Sequence, residues 1–215
     1  MSYAEQYQEV VTNFMAQLDD EARAIVEQNF AEIMSINYGE NALSEGDTAT
    51  DFILPNSKGI ETRLQSLLTE GAVVLNFYRG GWCPFCNLEF NSLHDILPQI
   101  KKMGATLVGI SPELADNSMN TIEKHNLQFE VLSDVGNKLA EQYGLLMKVP
   151  KVIRPLYLEW GLDLPGFNGD DSWELPIPAT YVINSDGRIV SAYVNKNYTE
   201  RMEPDDIIRA LETLQ

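Results

Sequence analysis

The chain has little of what staples or metallates a small protein: its 215 residues include two cysteines and two histidines. One crosslink would do little to hold a chain this long, so the fold must rest on an apolar core, which 44% hydrophobic residues can supply. Positive charge is also scarce. Fifteen Lys and Arg stand against 32 Asp and Glu, a formal net charge of -17, which repels phosphate backbones and anionic lipid surfaces. Nucleic acid and membrane are therefore poor partners. No apolar run approaches the roughly 18 residues of a spanning helix, and the opening "MSYAEQYQEVV" has neither a basic n-region nor an apolar h-region. The expected location is cytoplasmic, a reducing compartment where paired cysteines are more often catalytic or metal-binding than structural.

Hydrophobic spacing divides the chain in two. Tyr7, Val10, Val11, Phe14, Met15 and Leu18 recur at helical intervals, and Ala24, Ile25, Phe30, Ile33 and Met34 continue the pattern behind a cap at Asp20. Residues 1–45 are thus expected to form an N-terminal helical hairpin, packed on the main domain or on a second subunit. From residue 46 to 215 short apolar runs alternate with helical stretches, the pattern of an α/β sheet. Strands are predicted near 51–54, 60–63, 72–78, 104–110, 129–132, 179–184 and 188–194, and helices near 84–102, 115–125, 136–145 and 204–214. Pro98 should kink or split the first of these helices, and "NSDG" at 184–187 should turn an antiparallel hairpin. The connection from Leu145 to Ala179 carries five prolines and is expected to be a lid or a partly helical insertion.

Both cysteines lie in "VVLNFYRGGWCPFCNLEF", residues 73–90. A zinc site needs about four ligands and this motif offers two; His94 would stand about 16 Å along a helix starting at Cys83, too far to share the ion. A redox pair fits the position better, because the motif follows an apolar strand and opens a helix. Pro84 suits the first helical position, which makes Cys83 the N-cap. First-turn N–H groups, that of Cys86 among them, would then stabilise a Cys83 thiolate, and Cys86, one turn on and facing inward, could close a disulfide.

Around this motif the sequence resembles the thioredoxin superfamily, specifically the peroxiredoxin-like AhpC/TSA, or redoxin, branch. The segments carrying the resemblance are "GDTATDFILPNSKG", "TLVGISPE", "EKHNLQFEVLSDVGNKLAEQYGL" and "PATYVINSDGRIV", in family order from residue 46 onward. The resemblance implies a thioredoxin-like fold, a mixed central sheet flanked by helices, with residues 1–45 outside the usual pattern. Laid on this chain, the family motif PxxxTxxC puts its peroxide-reactive cysteine at Cys86, its threonine at Cys83 and its proline at Arg79, with Glu89 at a position many members keep acidic. The arginine that precedes the family's Thr-aromatic strand is replaced by Pro178, which instead resembles the cis-proline facing the CxxC of thioredoxins. "WCPFC" likewise resembles the thioredoxin WCxxC, and Asn76 occupies the place of that family's buried aspartate.

The resemblance implies an enzyme, a thioredoxin-dependent peroxidase that uses no cofactor and reduces hydroperoxides through Cys83 and Cys86, with thioredoxin or another dithiol as reductant. Two alternatives stay open: a general thiol-disulfide oxidoreductase, and a redox-sensing binding module. The alignment assigns the attack to Cys86 and the helix end assigns it to Cys83; Cys83 is the choice, as the sulfur expected to have solvent access and free backbone donors. Supporting roles fall to Arg79 (surface charge, or cation beside the thiolate), Trp82 and Trp173 (pocket walls), Glu89 and Pro178. A homodimer built through the N-terminal hairpin is a further possibility.

Overall fold

The computed structural model describes residues 3–215; Met1 and Ser2, the start of the expected N-terminal extension, lie outside the described residues. The main sheet has five strands in the order β5-β4-β3-β8-β9: β5 (Glu130–Ser133), β4 (Thr106–Ser111), β3 (Val73–Phe77), β8 (Ala179–Ile183) and β9 (Ile189–Val194). The first three are parallel, with Val73 opposite Thr106 and Val108 opposite Glu130, whereas β8 runs antiparallel to β3 and β9. All five residues of β3 are buried, as a strand covered on both faces must be, which is why it is a continuous apolar run broken only by Asn76. The sheet direction changes on either side of this central strand, and at such a switch point the loop beyond the strand's carboxyl end is the natural place for a site.

That loop leads into α4 (Pro84–Lys102), which packs on α9 (Pro204–Glu212) and whose buried residues include Leu93, Leu97 and Ile100. Pro98 neither splits nor ends the helix, which runs unbroken for 19 residues. One backbone bond is forgone there, and the buried stripe on both sides keeps the segment helical. Helix α5 (Ala115–His125) closes on Asn126 in the left-handed conformation, and the expected α6 is limited to Lys138–Gln142. The turn at Asn184 links β8 and β9 as an antiparallel hairpin, and β1 (Ile53–Pro55) pairs with β2 (Glu61–Arg63) ahead of the short α3 (Leu64–Leu68).

The proline-rich connection is more ordered than its composition implies. Its ends pair as β6 (Leu146–Lys148) and β7 (Glu174–Pro176), and between them lie α7 (Arg154–Glu159) and α8 (Leu164–Asn168). Val149, Ile153, Leu164 and Leu175 bury a second small core there. This element was hidden from periodicity because each piece is too short to show a repeat.

The N-terminal hairpin consists of α1 (Tyr3–Gln17) and α2 (Asp20–Ser35). The N-cap of α2 is Asp19 rather than Asp20: its carboxylate accepts the Ala22 N–H at 2.8 Å, while Asp20 is the first helical residue. Tyr7 and Ile33 are buried in the main core, and Val26 packs against the second. Lys196 ties the end of α2 to β9 by donating to the Met34 and Ile36 carbonyls at 2.8 and 2.7 Å. Among the described residues no helix is long and apolar enough to cross a membrane.

Candidate active site

The site grows from the loop after β3. Gly80 adopts φ +150°, open to a residue without Cβ, and a Cβ on Gly81 would collide with the Thr121 side chain of α5. The loop is thereby pressed against α5, and the Gly81 N–H donates to the Glu113 carboxylate at 3.0 Å. It delivers Cys83 to the N-cap of α4, with Pro84 as the first helical residue and Cys86 in the first turn, as the motif predicted. Both cysteines are free thiols and wholly buried. The expected solvent access of Cys83 is therefore corrected: α1, α2 and α7 roof the loop.

Beneath that roof is a cavity of about 80 Å³, mostly apolar. Cys83, Arg79, Trp82 and Phe85 form its floor; Tyr157 and Trp160 come from the inserted segment, Tyr198 from the loop after β9, and Phe14, Val26 and Asn29 from the hairpin. Cys83 reaches the cavity and Cys86 does not. Arg79 is buried rather than a surface charge. Its Nη1 lies 3.8 Å from the Cys83 sulfur, its Nη2 donates to the Tyr157 hydroxyl at 3.1 Å, and its guanidinium stacks 4.1 Å from the Tyr198 ring centre and 5.1 Å from that of Trp82.

A second cation serves Cys86. Arg201, which sequence reasoning passed over, enters from the loop between β9 and α9; its Nη2 is 3.4 Å from the Cys86 sulfur and its Nε donates to Glu89 at 2.6 Å. The other Glu89 oxygen accepts from Asn76 at 2.8 Å, and Asn76 also donates to the Thr180 hydroxyl at 3.2 Å. Glu89 thus holds Arg201 against the inner sulfur, where the family alignment would have an arginine at residue 178.

These surroundings drive the two thiols apart. Burial alone would raise Cys83, but a hydrogen bond from the Cys86 thiol, then Arg79, Arg201 and the Cys86 N–H, outweigh it and bring Cys83 down to about 5. Burial raises Cys86 well above the usual thiol range, and the Cys83 sulfur as hydrogen-bond acceptor and negative charge raises it further, so Arg201 does not offset them. The pair is built to hold one thiolate, on the sulfur facing the cavity, with the other proton retained behind it. Burial also lifts Glu113 to about 7, opposed by the Gly81 N–H and reinforced by the Cys83 charge. In Glu89, burial outweighs Arg201 and keeps the carboxyl above its ordinary value.

Two expected site residues lie elsewhere. Trp173 does not line the cavity; its carbonyl accepts from the Val149 N–H at 2.8 Å, and its ring lies under Arg154, 5.0 Å from the guanidinium carbon, in the second core. Pairing of β6 with β7 fixes it there. Pro178 is buried between β7 and β8 but follows a trans peptide bond and is not part of the cavity wall. The Ile177 N–H donates to the Leu145 carbonyl at 2.6 Å, which carries the β6–β7 pairing up to Pro178. Aromatic residues on separate segments, Tyr157, Trp160 and Tyr198, take the wall positions instead. Nothing in their local sequence marks them; only their aromatic character in an otherwise connecting segment could have drawn attention.

A mixed sheet whose central strand ends in a CxxC pair at a helix N-terminus, with one thiol depressed, defines a thiol-based oxidoreductase of thioredoxin-like fold. The sequence model of the AhpC/TSA family matches residues 46–192, and the chain belongs to this peroxiredoxin family. The putative peroxiredoxin bcp of Helicobacter pylori is 31% identical over 153 residues, 71% of this chain and 89% of that protein. The thiol-disulfide oxidoreductase ResA of Bacillus thuringiensis is 23% identical over 159 residues, 74% of each. The crystal structure of peroxidoxin BcpB from Mycobacterium tuberculosis superposes with a TM-score of 0.64 at 24% identity, over 80% of this chain and 99% of that one, and so shares the fold. The α1–α2 hairpin precedes the matched segment.

Proposed function

We propose that the protein reduces hydroperoxides with Cys83 as the attacking thiolate and Cys86 as the resolving thiol, and that thioredoxin or a similar dithiol returns it to the reduced state. The observation that carries the reading is the unequal pair: Cys83, lowered and lining a cavity with Arg79 at 3.8 Å, and Cys86, raised and behind it. The thiolate attacks the terminal peroxide oxygen; an S–O bond forms as the O–O bond breaks, sulfur gives two electrons to the peroxide, and the departing alkoxide or hydroxide takes up a proton to leave as alcohol or water. Cys86 then gives up its proton and attacks the Cys83 sulfenic acid, so that an S–S bond forms as water leaves. A dithiol donor reverses the crosslink by exchange. Burial of both sulfurs suits a small peroxide in the first half-reaction, and the donor's access requires the roof, α1 and α2 included, to move. A reducing cytoplasm is the compartment in which such a cycle runs.

The alternative, general exchange with protein disulfides, draws support from WCPFC and from the similarity to ResA. The covered sulfurs argue against it. Peroxide consumption and insulin-disulfide reduction, each driven by thioredoxin and its reductase, separate the two readings: peroxidase turnover without insulin reduction is expected, and the converse overturns the proposal. With peroxide and dimedone, Cys86→Ser should trap a sulfenate on Cys83 while Cys83→Ser reacts slowly; the reverse pattern moves the attack to Cys86.

A further inference from the structure

The cycle above leaves one buried acid unused. Glu113 stands just past β4, two residues beyond Ser111; it is 3% exposed and does not line the reactive cavity. Its carboxylate accepts the Gly81 N–H at 3.0 Å, two residues ahead of Cys83, and its own N–H donates to the Ser111 hydroxyl at 3.4 Å. Among the described residues no Lys, Arg or His side chain lies within ion-pair distance of that carboxylate, in contrast to Glu89, which Arg201 neutralises. A carboxylate buried without a cation is costly, and the proton is retained into the neutral range, to about 7. Two ionisable groups face it from other elements: Tyr78, directly after β3, and Cys83, at the N-cap of α4. The helix α5 meets the same loop with the uncharged Thr121. Burial holds Tyr78 as a neutral phenol, far above its ordinary range, so the Cys83 thiolate is the charge to which Glu113 responds.

We infer that Glu113 is the proton-holding partner of the cysteine pair: it carries a proton while Cys83 is a thiolate and gives it up when the Cys83–Cys86 disulfide forms. It stands outside the cavity wall and acts on Cys83 through charge, as a positioning residue rather than a catalytic one. The reduced pair holds one proton, on Cys86, with Cys83 as the anion. When a hydroperoxide oxidises the pair, the S–S bond forms at the expense of the O–O bond and the two sulfurs give two electrons to the peroxide. The products, alcohol and water, take the Cys86 proton and one more. Glu113 releases one, so the count closes. On return a dithiol donor gives two electrons and two protons: its own disulfide forms as the Cys83–Cys86 bond breaks, one proton goes to Cys86 and the other to Glu113, and Cys83 leaves as the thiolate. The charge thus passes between Cys83 and Glu113, and neither half-reaction adds a second uncompensated charge to the buried loop. Only the peroxide half rests on the peroxidase reading; the link between proton and disulfide does not.

The test measures the thiol-disulfide equilibrium of the protein in dithiothreitol redox buffers between pH 6 and 8, for the wild type and Glu113→Gln, with no peroxide present. Across this range Cys83 is a thiolate and Cys86 a thiol, so the pair alone takes up one proton on reduction. Its reduction should then become tenfold less favourable per pH unit, about 30 mV. With Glu113 adding a second proton, the wild type should fall by more than tenfold per unit between pH 6 and 7, approaching a hundredfold, about 60 mV, and return to tenfold above 7, where the carboxyl is ionised in both states. Glu113→Gln, whose amide still accepts from Gly81, should stay at tenfold throughout. Equal slopes in the two proteins overturn the inference. If the variant does not fold, NMR of the Glu113 carboxyl carbon in the wild type decides alone. A titration midpoint near 7 in the reduced protein that falls by about one unit or more in the oxidised protein supports the role. The same midpoint in both states overturns it. A protein that shows this coupling yet turns over no hydroperoxide refutes the peroxidase reading and leaves the role of Glu113 standing.

Discussion

Replacing Arg79 by glutamine removes the cation beside Cys83 and leaves a polar side chain for Tyr157. At 3.8 Å and an effective dielectric of about 20, a guanidinium–thiolate attraction is worth roughly 4 kcal/mol, or about 3 pKa units. Arg79 is wholly inside the protein, so solvent does little to screen it. The Cys83 thiol, now at about 5, should rise to about 8 in Arg79→Gln, since Cys86 and Arg201 still favour the thiolate. The sign is fixed by the charge: the thiolate loses a partner and the neutral thiol loses little. At neutral pH the thiolate fraction then falls to about one tenth and the rate of its chemistry falls about tenfold. Iodoacetamide alkylation followed across pH, with the modified residue assigned to Cys83 by mass spectrometry, reads the midpoint directly. Arg79→Lys, which restores a charge without the fork, should bring the midpoint most of the way back. A midpoint that moves by less than one unit in Arg79→Gln would refute the reasoning and leave Cys86, through its thiol and its N–H, and Arg201 as the causes of the depressed thiol.

Three further outcomes follow from other contacts. Arg201→Met leaves Glu89 as an unpaired buried carboxylate and should cost roughly 3–5 kcal/mol in urea denaturation, part of it recovered by adding Glu89→Gln; no recovery in the double variant would mean that the pair is not the source of the loss. The folded-state value of Glu113, about 7, lies above its ordinary 4.5, so its share of stability is full below pH 4.5 and is lost as pH rises through 7, about 3 kcal/mol at most. Glu113→Gln, which can still accept from Gly81, should flatten that part of the stability-pH curve, and an unchanged curve would show that the carboxyl does not retain its proton. Gly81→Ala drives a methyl group into Thr121, and should destabilise the fold by about 1–3 kcal/mol and slow Cys83 alkylation, with partial rescue by Thr121→Ala; a variant as stable as the wild type would show that the loop has room to shift.

The local features of the site were legible because each depends on neighbours in sequence. A buried strand is an unbroken apolar run, and Val73 to Phe77 is one. A helix start is a cap followed by proline, and Cys83–Pro84 has that form. The same logic gave the amphipathic hairpin and the turn at "NSDG". It erred by one residue at Asp19, where two adjacent aspartates can both cap and only the backbone angle chooses between them. Pro98 looked like a break because propensity is a local quantity, whereas the helix is held by a stripe buried against another element.

What the sequence by itself determined is therefore the element pattern, the family and the placement of the two sulfurs at a strand-to-helix junction, all properties of short contiguous stretches. The tertiary structure alone decided the surroundings of those sulfurs. Arg201 lies 115 residues from Cys86 and still reaches its sulfur, and Tyr157 is 78 residues from the Arg79 that it meets. It also decided that Trp173 and Pro178 stay outside the cavity and that α1 and α2 roof Cys83, which a reading from the motif alone left open to solvent. The physical reason is that Coulomb attraction, desolvation and hydrogen bonding act through a few ångströms of space whatever the separation along the chain, so that Cys86 and Arg79 act on Cys83 from within the same motif, whereas the burial of both sulfurs and the Arg201 charge come from segments whose meeting only the packed core enforces.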